Sequence, residues 1–265
     1  MYDFKYQLAN SQDDAVSAQS SAEDGSFLAG GMTLIPTLKQ RLAQPSDLVD
    51  LSGISDLIGV SAEGDSVTIG SMTTHAEVAS SEIVSSKIPA LAALAGNIGD
   101  PQVRNRGTIG GSIANNDPAA DYPAACVALN ATIITNNRKI PADNFFTGLF
   151  ETALEDGELI TAVTFPIPDK AAYAKFPNPA SRYAIVGVMV AHTGGETRAA
   201  VTGASDSGVF RSSEIENALG DNLDSSAAKA VSISADGLNN DIHASSEYRA
   251  HLVSIMASRA ATAAG

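Results

Sequence analysis

This sequence of 265 residues has no tryptophan and only one cysteine. The single cysteine, Cys126, excludes an internal disulfide, because that bond needs two thiols. One thiolate also falls short of what an iron–sulfur cluster or a cysteine zinc site requires. Proteins without disulfides are typical of the cell interior, and we expect a cytoplasmic location.

Basic residues are scarce as well. The chain has 16 Lys and Arg against 30 Asp and Glu, which gives a formal net charge of -14. This balance argues against non-specific binding to nucleic acid or to anionic lipid, because both need a basic surface. The stretch Met1–Tyr6 lacks the pattern of a signal peptide. No apolar run approaches the ~18 residues of a membrane span, so we expect no transmembrane segment.

The beginning of the chain predicts a helix, a strand, a turn and a second helix. Residues 11–25 are weakly amphipathic, and Ser26–Ala29 is a short apolar run that ends at Gly30-Gly31. Leu34, Leu38 and Leu42 follow at helical spacing, with Thr33 as the expected N-cap.

Both strands and helices are predicted over the middle of the chain, and the fold class that we expect is α+β. Residues 99–123 are rich in glycine and proline, and we expect an irregular functional loop there. The predicted strands are Asp47–Leu51, Ile54–Val60, Ser66–Gly70, Ala131–Thr135 and Glu158–Phe165, and the predicted helices start at Thr74, with a capping box, and at Ile88.

Four prolines between Pro166 and Pro179 mark the clearest boundary between structural units. Beyond it, residues 183–191 and 198–204 predict strands joined by a Gly194-Gly195 turn. Helical spacing follows from about Ser212, and 246–261 reads as one helix. We therefore divide the chain into units at 1–55, 56–170 and 171–265.

Two glycine pairs are candidates for a ligand site. Gly30-Gly31 precedes a helix, and Gly110-Gly111 lies between Thr108 and Ser112, after Arg104 and Arg106. Glycine allows close approach of a ligand, and backbone amides at such places hold phosphates. A plain tight turn explains each pair equally well. Asp117 and Asp121 are candidates for ribose binding, although as an isolated pair they fit helix-cap and surface roles better.

Other familiar sites are not supported. The sequence contains neither Gly-x-Gly-x-x-Gly nor a P-loop motif. The four histidines lack metal-ligand spacing, and Cys126 lies in an apolar run typical of a buried structural thiol.

Together, the two glycine segments resemble the FAD-binding medium subunits of molybdenum hydroxylases, the family of carbon monoxide dehydrogenase and xanthine dehydrogenase. The resemblance is carried by Ala29-Gly30-Gly31-Met32-Thr33-Leu34-Ile35-Pro36, by Thr108-Ile109-Gly110-Gly111-Ser112-Ile113-Ala114 and by Asp117-Pro118-Ala119-Ala120-Asp121. Supporting segments are Leu48–Leu51, Ile69–Thr74, Asp100–Arg104, Gly157–Ile160 and Lys175–Ala184. The resemblance implies an FAD-binding fold of two subdomains (PCMH-like), followed by a small domain with an antiparallel sheet and a helix bundle.

The resemblance also implies site residues for a non-covalently bound FAD. Backbone amides of Ala29–Thr33 and Thr108–Ser112 would hold the pyrophosphate, with Arg104 or Arg106 compensating its charge. Asp121 would bind the adenosine ribose, and Ile160, Lys175 and Tyr183 would contact the flavin. The implied set is Ala29, Gly30, Gly31, Met32, Thr33, Thr108, Gly110, Gly111, Ser112, Asp121, Ile160, Lys175 and Tyr183, whereas the contacts of Asn115 and Asn116 stay open.

The implied function is that of an electron-transfer subunit. A large subunit would carry molybdenum–pterin, and a small subunit would carry two [2Fe–2S] clusters that pass electrons to FAD on this chain. A quinone, NAD or another acceptor would receive them from a heterohexamer, a dimer of heterotrimers, in the cytoplasm or at a membrane through its partners. The alternative is a free-standing FAD-dependent oxidoreductase with its own substrate site, and a third reading is an assembly protein without a cofactor.

Overall fold

Three sheets follow one another along the chain in this computed structural model, which describes residues 1–265. They contain three, five and four strands, and a two-stranded ribbon accompanies the second sheet. Helices pack against all three sheets, so the predicted α+β fold is confirmed.

The first unit contains a small parallel sheet of order β1-β3-β2. The predicted helix, strand, glycine turn and helix are confirmed, although Thr33 occupies the N-cap position without a side-chain hydrogen bond. Its elements are β1 (Lys5–Leu8), α1 (Gln12–Ser20), β2 (Gly25–Leu28), α2 (Leu34–Lys39) and β3 (Asp47–Asp50).

The second unit is an antiparallel sheet of order β4-β5-β10-β6-β7 with six helices. The strands are β4 (Val60–Glu63), β5 (Ser66–Gly70), β6 (Thr132–Thr135), β7 (Lys139–Pro141), β8 (Phe146–Gly148), β9 (Glu151–Thr152) and β10 (Ile160–Pro166). The helices are α3 (His75–Ser80), α4 (Glu82–Lys87), α5 (Pro89–Gly96), α6 (Pro101–Arg104), α7 (Ile109–Asn115) and α8 (Tyr122–Ala128). The predicted capping box of Thr74 and Glu77 is present.

The third unit is an antiparallel sheet of order β11-β12-β13-β14 covered by helices. Its elements are β11 (Lys170–Pro177), β12 (Ala184–Thr193), β13 (Glu196–Ser205), β14 (Gly208–Arg211), α9 (Ser213–Leu219), α10 (Ser225–Ala230) and α11 (Ser246–Ala264). The buried Arg249 of α11 donates hydrogen bonds to the carbonyls of Ile185 and Gly203 and to Asp241. No helix has both the length and the apolar character that crossing a membrane requires.

The largest hydrophobic core spans the second and third units. It contains 30 buried residues, among them Tyr122 and Phe165 from the second unit and Met189 and Ala200 from β12 and β13. Cys126 is buried within it, and burial raises the pKa of this thiol far above its ordinary value. The expected burial of this thiol in the core is therefore confirmed.

Two local expectations are wrong. Ile54–Val60 is not a strand, because Ser55–Leu57 forms a single 3₁₀ turn and β4 starts only at Val60. Residues 99–123 are not irregular either, since they contain α6, α7 and the start of α8. Asp100 caps α6 by accepting a hydrogen bond from the Val103 N–H at 2.9 Å, and a proline in the first turn suits such a start.

Candidate functional site

A cavity of about 500 Å³ lies between the first and second units, and the loop between β11 and β12 closes one side. This volume is typical of pockets that bind small molecules and cofactors. Residues from positions 26 to 183 line the cavity, so distant segments contribute to one site. It brings together Ala29, Gly30, Gly31, Met32, Thr33, Thr108, Gly110, Gly111, Ser112, Asp121, Ile160 and Tyr183, but not Lys175.

The two glycine pairs lie against each other in this cavity. A methyl group on Gly111 would lie 3.4 Å from Cβ of Ala29, and one on Gly30 would lie 2.7 Å from the carbonyl carbon of Arg106. The second of these distances is an overlap with backbone that no side-chain rotation relieves. Glycine at position 30 therefore permits the close approach of the loop after β2 to the start of α7.

The loop between β2 and α2 offers unpaired hydrogen-bond donors. None of the backbone N–H groups from Ala29 to Leu34 donates a hydrogen bond within the protein. Gly31 has a φ of +71°, a left-handed conformation that glycine adopts without strain. Consecutive amides at such a turn form a concave donor surface for an anion. This loop is thus suited to bind a phosphate group.

The second glycine pair does not lie in a loop, because it belongs to the first helical turn of α7. Thr108 caps this helix through its Oγ1, which accepts from the Gly111 N–H at 3.1 Å. The N–H groups of Ile109, Gly110 and Ser112 also donate within the protein, to Thr73, Ser71 and Thr108. The four amides from Ile109 to Ser112 are therefore engaged, which departs from the expectation that they face a ligand. Gly110 instead allows close packing, since a methyl group there would lie 2.5 Å from Cβ of Ser71.

Asp121 forms part of the cavity wall, and each oxygen of its carboxylate accepts one hydrogen bond from a side chain. It accepts hydrogen bonds from the Tyr173 hydroxyl and from Nζ of Lys175, which lies 3.0 Å away. Lys175 also donates to the carbonyl of Asn97 and lies behind Asp121 rather than on the cavity surface. Burial raises the pKa of Asp121, and the Lys175 ammonium acts in the opposite direction. The expected roles of both residues toward a ligand stay predictions.

Asp117 does not cap a helix, because Asp121 occupies the N-cap position of α8. Asp117 Oδ1 accepts a hydrogen bond from the Ala119 N–H at 2.9 Å, and the residue lines the cavity. Burial raises the pKa of the Asp117 carboxyl. Asn115 also lines the cavity, whereas Asn116 is buried and donates to the carbonyls of Gly148 and Glu151.

A third wall comes from the start of β10. Ile160 is buried and lines the cavity beside Leu159 and Glu158. Arg138 binds the Glu158 carboxylate through two hydrogen bonds of 2.9 Å. The Arg138 guanidinium lowers the pKa of Glu158 to about 2. This charge is therefore neutralised by an ion pair within the protein.

The sequence that forms this cavity matches a known protein family. Residues 2–168 match the family described as "FAD binding domain in molybdopterin dehydrogenase". The chain belongs to this family. The parallel first sheet and the antiparallel second sheet both lie within the matched residues, and the predicted fold class is confirmed.

Relatives of the whole chain are medium subunits of molybdenum hydroxylases. The nicotine 6-hydroxylase medium subunit of Paenarthrobacter nicotinovorans is 35% identical, with 98% of this chain and 97% of the relative covered. The carbon monoxide dehydrogenase medium chain of Hydrogenophaga pseudoflava is 34% identical, with 98% and 96% covered. The chain is accordingly an oxidoreductase subunit of the medium, FAD-binding type.

Solved structures agree with these relatives. Carbon monoxide dehydrogenase from Hydrogenophaga pseudoflava, in a form which lacks the Mo-pyranopterin moiety, has a TM-score of 0.88 at 34% identity, with 99% of this chain and 97% of that chain covered. Quinoline 2-oxidoreductase from Pseudomonas putida 86 has a TM-score of 0.90 at 28% identity, with 99% and 97% covered.

The basic residues of this family member differ from the sequence expectation. Arg104 donates to the carbonyls of Ile98 and Gly99, Arg106 is exposed, and neither side chain lines the cavity. Arg182 lines it instead, next to Tyr183. The signal that could have found Arg182 was its place beside Tyr183, within the segment Lys175–Ala184 that supports the resemblance.

His75 and Ser71 were also missed as cavity residues. Both are buried and line the wall behind α7. Burial lowers the pKa of His75 to about 4, so its imidazole is neutral near pH 7. The sequence signal was the capping-box segment in which His75 lies, which places it in the first turn of α3.

Proposed function

We propose that this chain carries FAD as the electron-transfer subunit of a molybdenum hydroxylase. It takes electrons from [2Fe–2S] clusters on a small partner subunit and passes them to an external acceptor. The observation that carries this proposal is the cavity in which six consecutive unpaired amides, from Ala29 to Leu34, meet the glycine-rich start of α7. Such donors match a pyrophosphate, which needs many hydrogen bonds and little side-chain bulk.

The residues present fit the cofactor along the whole cavity. Amides of Ala29–Thr33 bind the pyrophosphate, and the hydroxyls of Thr108 and Ser112 flank it. The buried Asp121 faces the ribose, with Lys175 holding its carboxylate in place. Tyr183 and the apolar Ile160 enclose the flavin. When bound, FAD exchanges electrons singly with clusters and in pairs with an acceptor, while the protein holds it in position.

Partner subunits follow from the cysteine count. A [2Fe–2S] cluster is held by four cysteine thiolates in most proteins, and this chain has one cysteine. The clusters and the molybdenum–pterin therefore lie on a small and a large partner, in a dimer of heterotrimers. The acceptor is a quinone, NAD or another oxidant, and the complex is cytoplasmic or reaches a membrane through its partners. The printed names of the relatives, medium subunit and medium chain, support a complex of several subunits.

Titration of the purified chain with FAD tests the proposal. We expect tight binding that gives the spectrum of a protein-bound flavin and quenches its fluorescence. Gly31→Ala should weaken binding about tenfold or more, because losing one hydrogen bond to a charged group costs about 1.5–3 kcal/mol. Gly64→Ala is the matched control, since Gly64 also has a positive φ, lies in the β4–β5 turn and has no atom within 4 Å of an added methyl.

No FAD binding by the wild-type chain would contradict the proposal, and so would equal binding by the two variants. Purification of the native complex tests the partners, and we expect one iron–sulfur subunit and one molybdenum subunit. Substrate turnover by the chain alone would instead support a free-standing flavin oxidoreductase.

A further inference from the structure

The connection between β11 and β12, residues 178–183, forms a tightly held loop at the cavity. The N–H of Asn178 donates to the carbonyl of Tyr183 at 2.8 Å, and the N–H of Arg182 donates to the carbonyl of Asn178 at 2.9 Å. Asn178 is 8% exposed, and its Oδ1 accepts from the N–H groups of Ala180 and Ser181. Backbone hydrogen bonds and the buried Asn178 side chain thus hold the loop in place.

This loop presents an unpaired cation to the cavity. Ser181, Arg182 and Tyr183 all line the cavity, and Arg182 is exposed with a φ of +64°. The only hydrogen bond that Arg182 donates comes from its backbone. A left-handed backbone is uncommon for arginine and costs free energy, so the fold holds the backbone of Arg182 in a defined conformation at the cavity.

Three other cations near the cavity are already committed to protein partners, and the exposed Arg106 does not line the cavity. Lys175 is paired with Asp121, Arg138 with Glu158, and Arg104 with two backbone carbonyls. Arg182 is the only Lys or Arg among the lining residues, and His75 is neutral near pH 7. A free guanidinium on a chain with a net charge of -14 provides a local attraction for an anion.

Arg182 lies away from the amides that suit the pyrophosphate. Gly111, in the first turn of α7, packs on Ala29 of the phosphate-binding loop. The 178–183 loop adjoins the segment after the other end of α7, where the Ala184 N–H donates to the carbonyl of Ala119. The seven residues of α7 span about 10 Å, with Ala29 packed at its first turn and the segment that contacts Ala184 following its last residue.

We propose that Arg182 is the docking residue for an anionic electron acceptor, one that carries a phosphate or carboxylate group, at the cavity mouth beside Tyr183. This inference rests on the proposed function, because it needs the flavin to lie near Tyr183. The planar guanidinium binds such groups through two parallel hydrogen bonds, and the exposed Tyr183 offers an aromatic surface next to it. A neutral quinone gains nothing from this charge.

Reoxidation of the FAD-loaded chain tests the inference. The chain is reduced anaerobically with dithionite, freed of excess reductant and mixed with 1,4-naphthoquinone-2-sulfonate or with uncharged 1,4-naphthoquinone. Each quinone takes up the two electrons that the cofactor loses, with two protons from the cofactor and the solvent. The return of oxidised flavin absorbance gives the second-order rate constant for each acceptor.

We expect Arg182→Gln to lower the rate constant for the sulfonate about tenfold and to leave that for the neutral quinone within about twofold. Arg182→Lys, which keeps the charge, should restore most of the loss. Arg41→Gln is the matched control, because Arg41 also is exposed with a φ of +60°, lies over the Tyr2 ring and does not line the cavity. Added salt should slow the wild-type reaction with the sulfonate and should not slow that of Arg182→Gln.

Equal effects of Arg182→Gln on both quinones, or no effect on either, would overturn the inference. Loss of FAD binding in Arg182→Gln would overturn it too, because Arg182 would then hold the cofactor itself. Both results leave the proposed function intact when the wild-type chain binds FAD. A wild-type chain without bound FAD would instead contradict the proposed function, and this inference with it.

Discussion

Adding a single methyl group at Gly30 should move the loop after β2 away from the start of α7, the two segments that meet in the cavity. In Gly30→Ala the new Cβ would lie 2.7 Å from the carbonyl carbon of Arg106 and 2.9 Å from Cα of Gly107. Both atoms belong to backbone just before α7, so the overlap can be relieved only by moving the loop after β2 away from the helix. The substitution therefore tests whether this close approach forms the site.

The magnitude follows from two opposing terms. Overpacking at a close-packed site costs about 1–3 kcal/mol, and an overlap with rigid backbone belongs to the upper half of that range. Gly30 has no positive φ, so alanine fits the local backbone and returns about 0.4–1 kcal/mol by restricting the unfolded chain. The net loss in the free energy of unfolding is about 2 kcal/mol, or roughly 4–8 °C in Tm for a chain of this size.

Thermal unfolding followed by circular dichroism, with and without FAD, measures both effects. We expect Gly30→Ala to lower Tm and also to weaken FAD binding, because the amides of the displaced loop no longer face the cavity. Gly96→Ala is the control, since Gly96 ends α5 and the nearest atom to an added methyl is Cβ of Ala79 at 3.8 Å. A Gly30→Ala chain as stable as the wild type, with unchanged FAD affinity, would refute the reasoning.

Three further predictions concern single side chains. Thr108→Ala should lower the free energy of unfolding by about 1 kcal/mol because it removes the cap of α7, and Thr108→Ser should retain most of it. Arg249→Met should cost about 2–4 kcal/mol, because two buried carbonyls lose their donor, whereas Arg259→Met on the exposed side of the same helix should cost less than about 0.5 kcal/mol. Arg138→Gln should destabilise the chain at neutral pH, and this difference from the wild type should shrink as the pH falls from about 4.5 towards 2.

Urea unfolding measures all three, and for the last it is repeated across the acidic range. The sign of the pH effect follows from the lowered pKa of Glu158, since the ion pair stabilises the chain only while this carboxylate is ionised. A stability gap that stays constant or widens in acid would contradict that assignment. Equal losses in Thr108→Ala and Thr108→Ser, or in Arg249→Met and Arg259→Met, would contradict the other two.

Local sequence patterns predicted the first unit, whereas the meeting of the two glycine segments was predicted only by the family resemblance. In the first unit, the periodic leucines after Thr33 and the apolar run before Gly30 each point to one structure without help from distant residues. The resemblance then connected Ala29–Thr33 with Thr108–Ser112, which no local pattern could do. Their contact depends on tertiary packing.

The errors lie where distant partners decide the local structure. Gly110-Gly111 reads as a turn, yet it lies in the first turn of α7, which Thr108 caps, and Ser71 occupies the space that a side chain at position 110 would need. The run Ile54–Val60 is rich in β-formers, but the buried Leu57 closes a 3₁₀ turn and Gly59 takes a φ of +123°. The direction of an arginine is equally invisible to spacing, and Arg182 rather than Arg104 reaches the cavity.

The third sheet lies outside the residues of the family match, yet it supports a segment that lies inside them. The Thr202 hydroxyl lies 2.9 Å from the carbonyl of Pro118 and 2.6 Å from that of Ala120, and the Gly203 N–H donates to Pro118. Excision of residues 2–168 as a cloning fragment would remove these hydrogen bonds. It would also expose the apolar residues of the second unit that pack against β12 and β13. A fusion protein that takes the first two units of this chain as a flavin-binding module must therefore include the third sheet, which stabilises them.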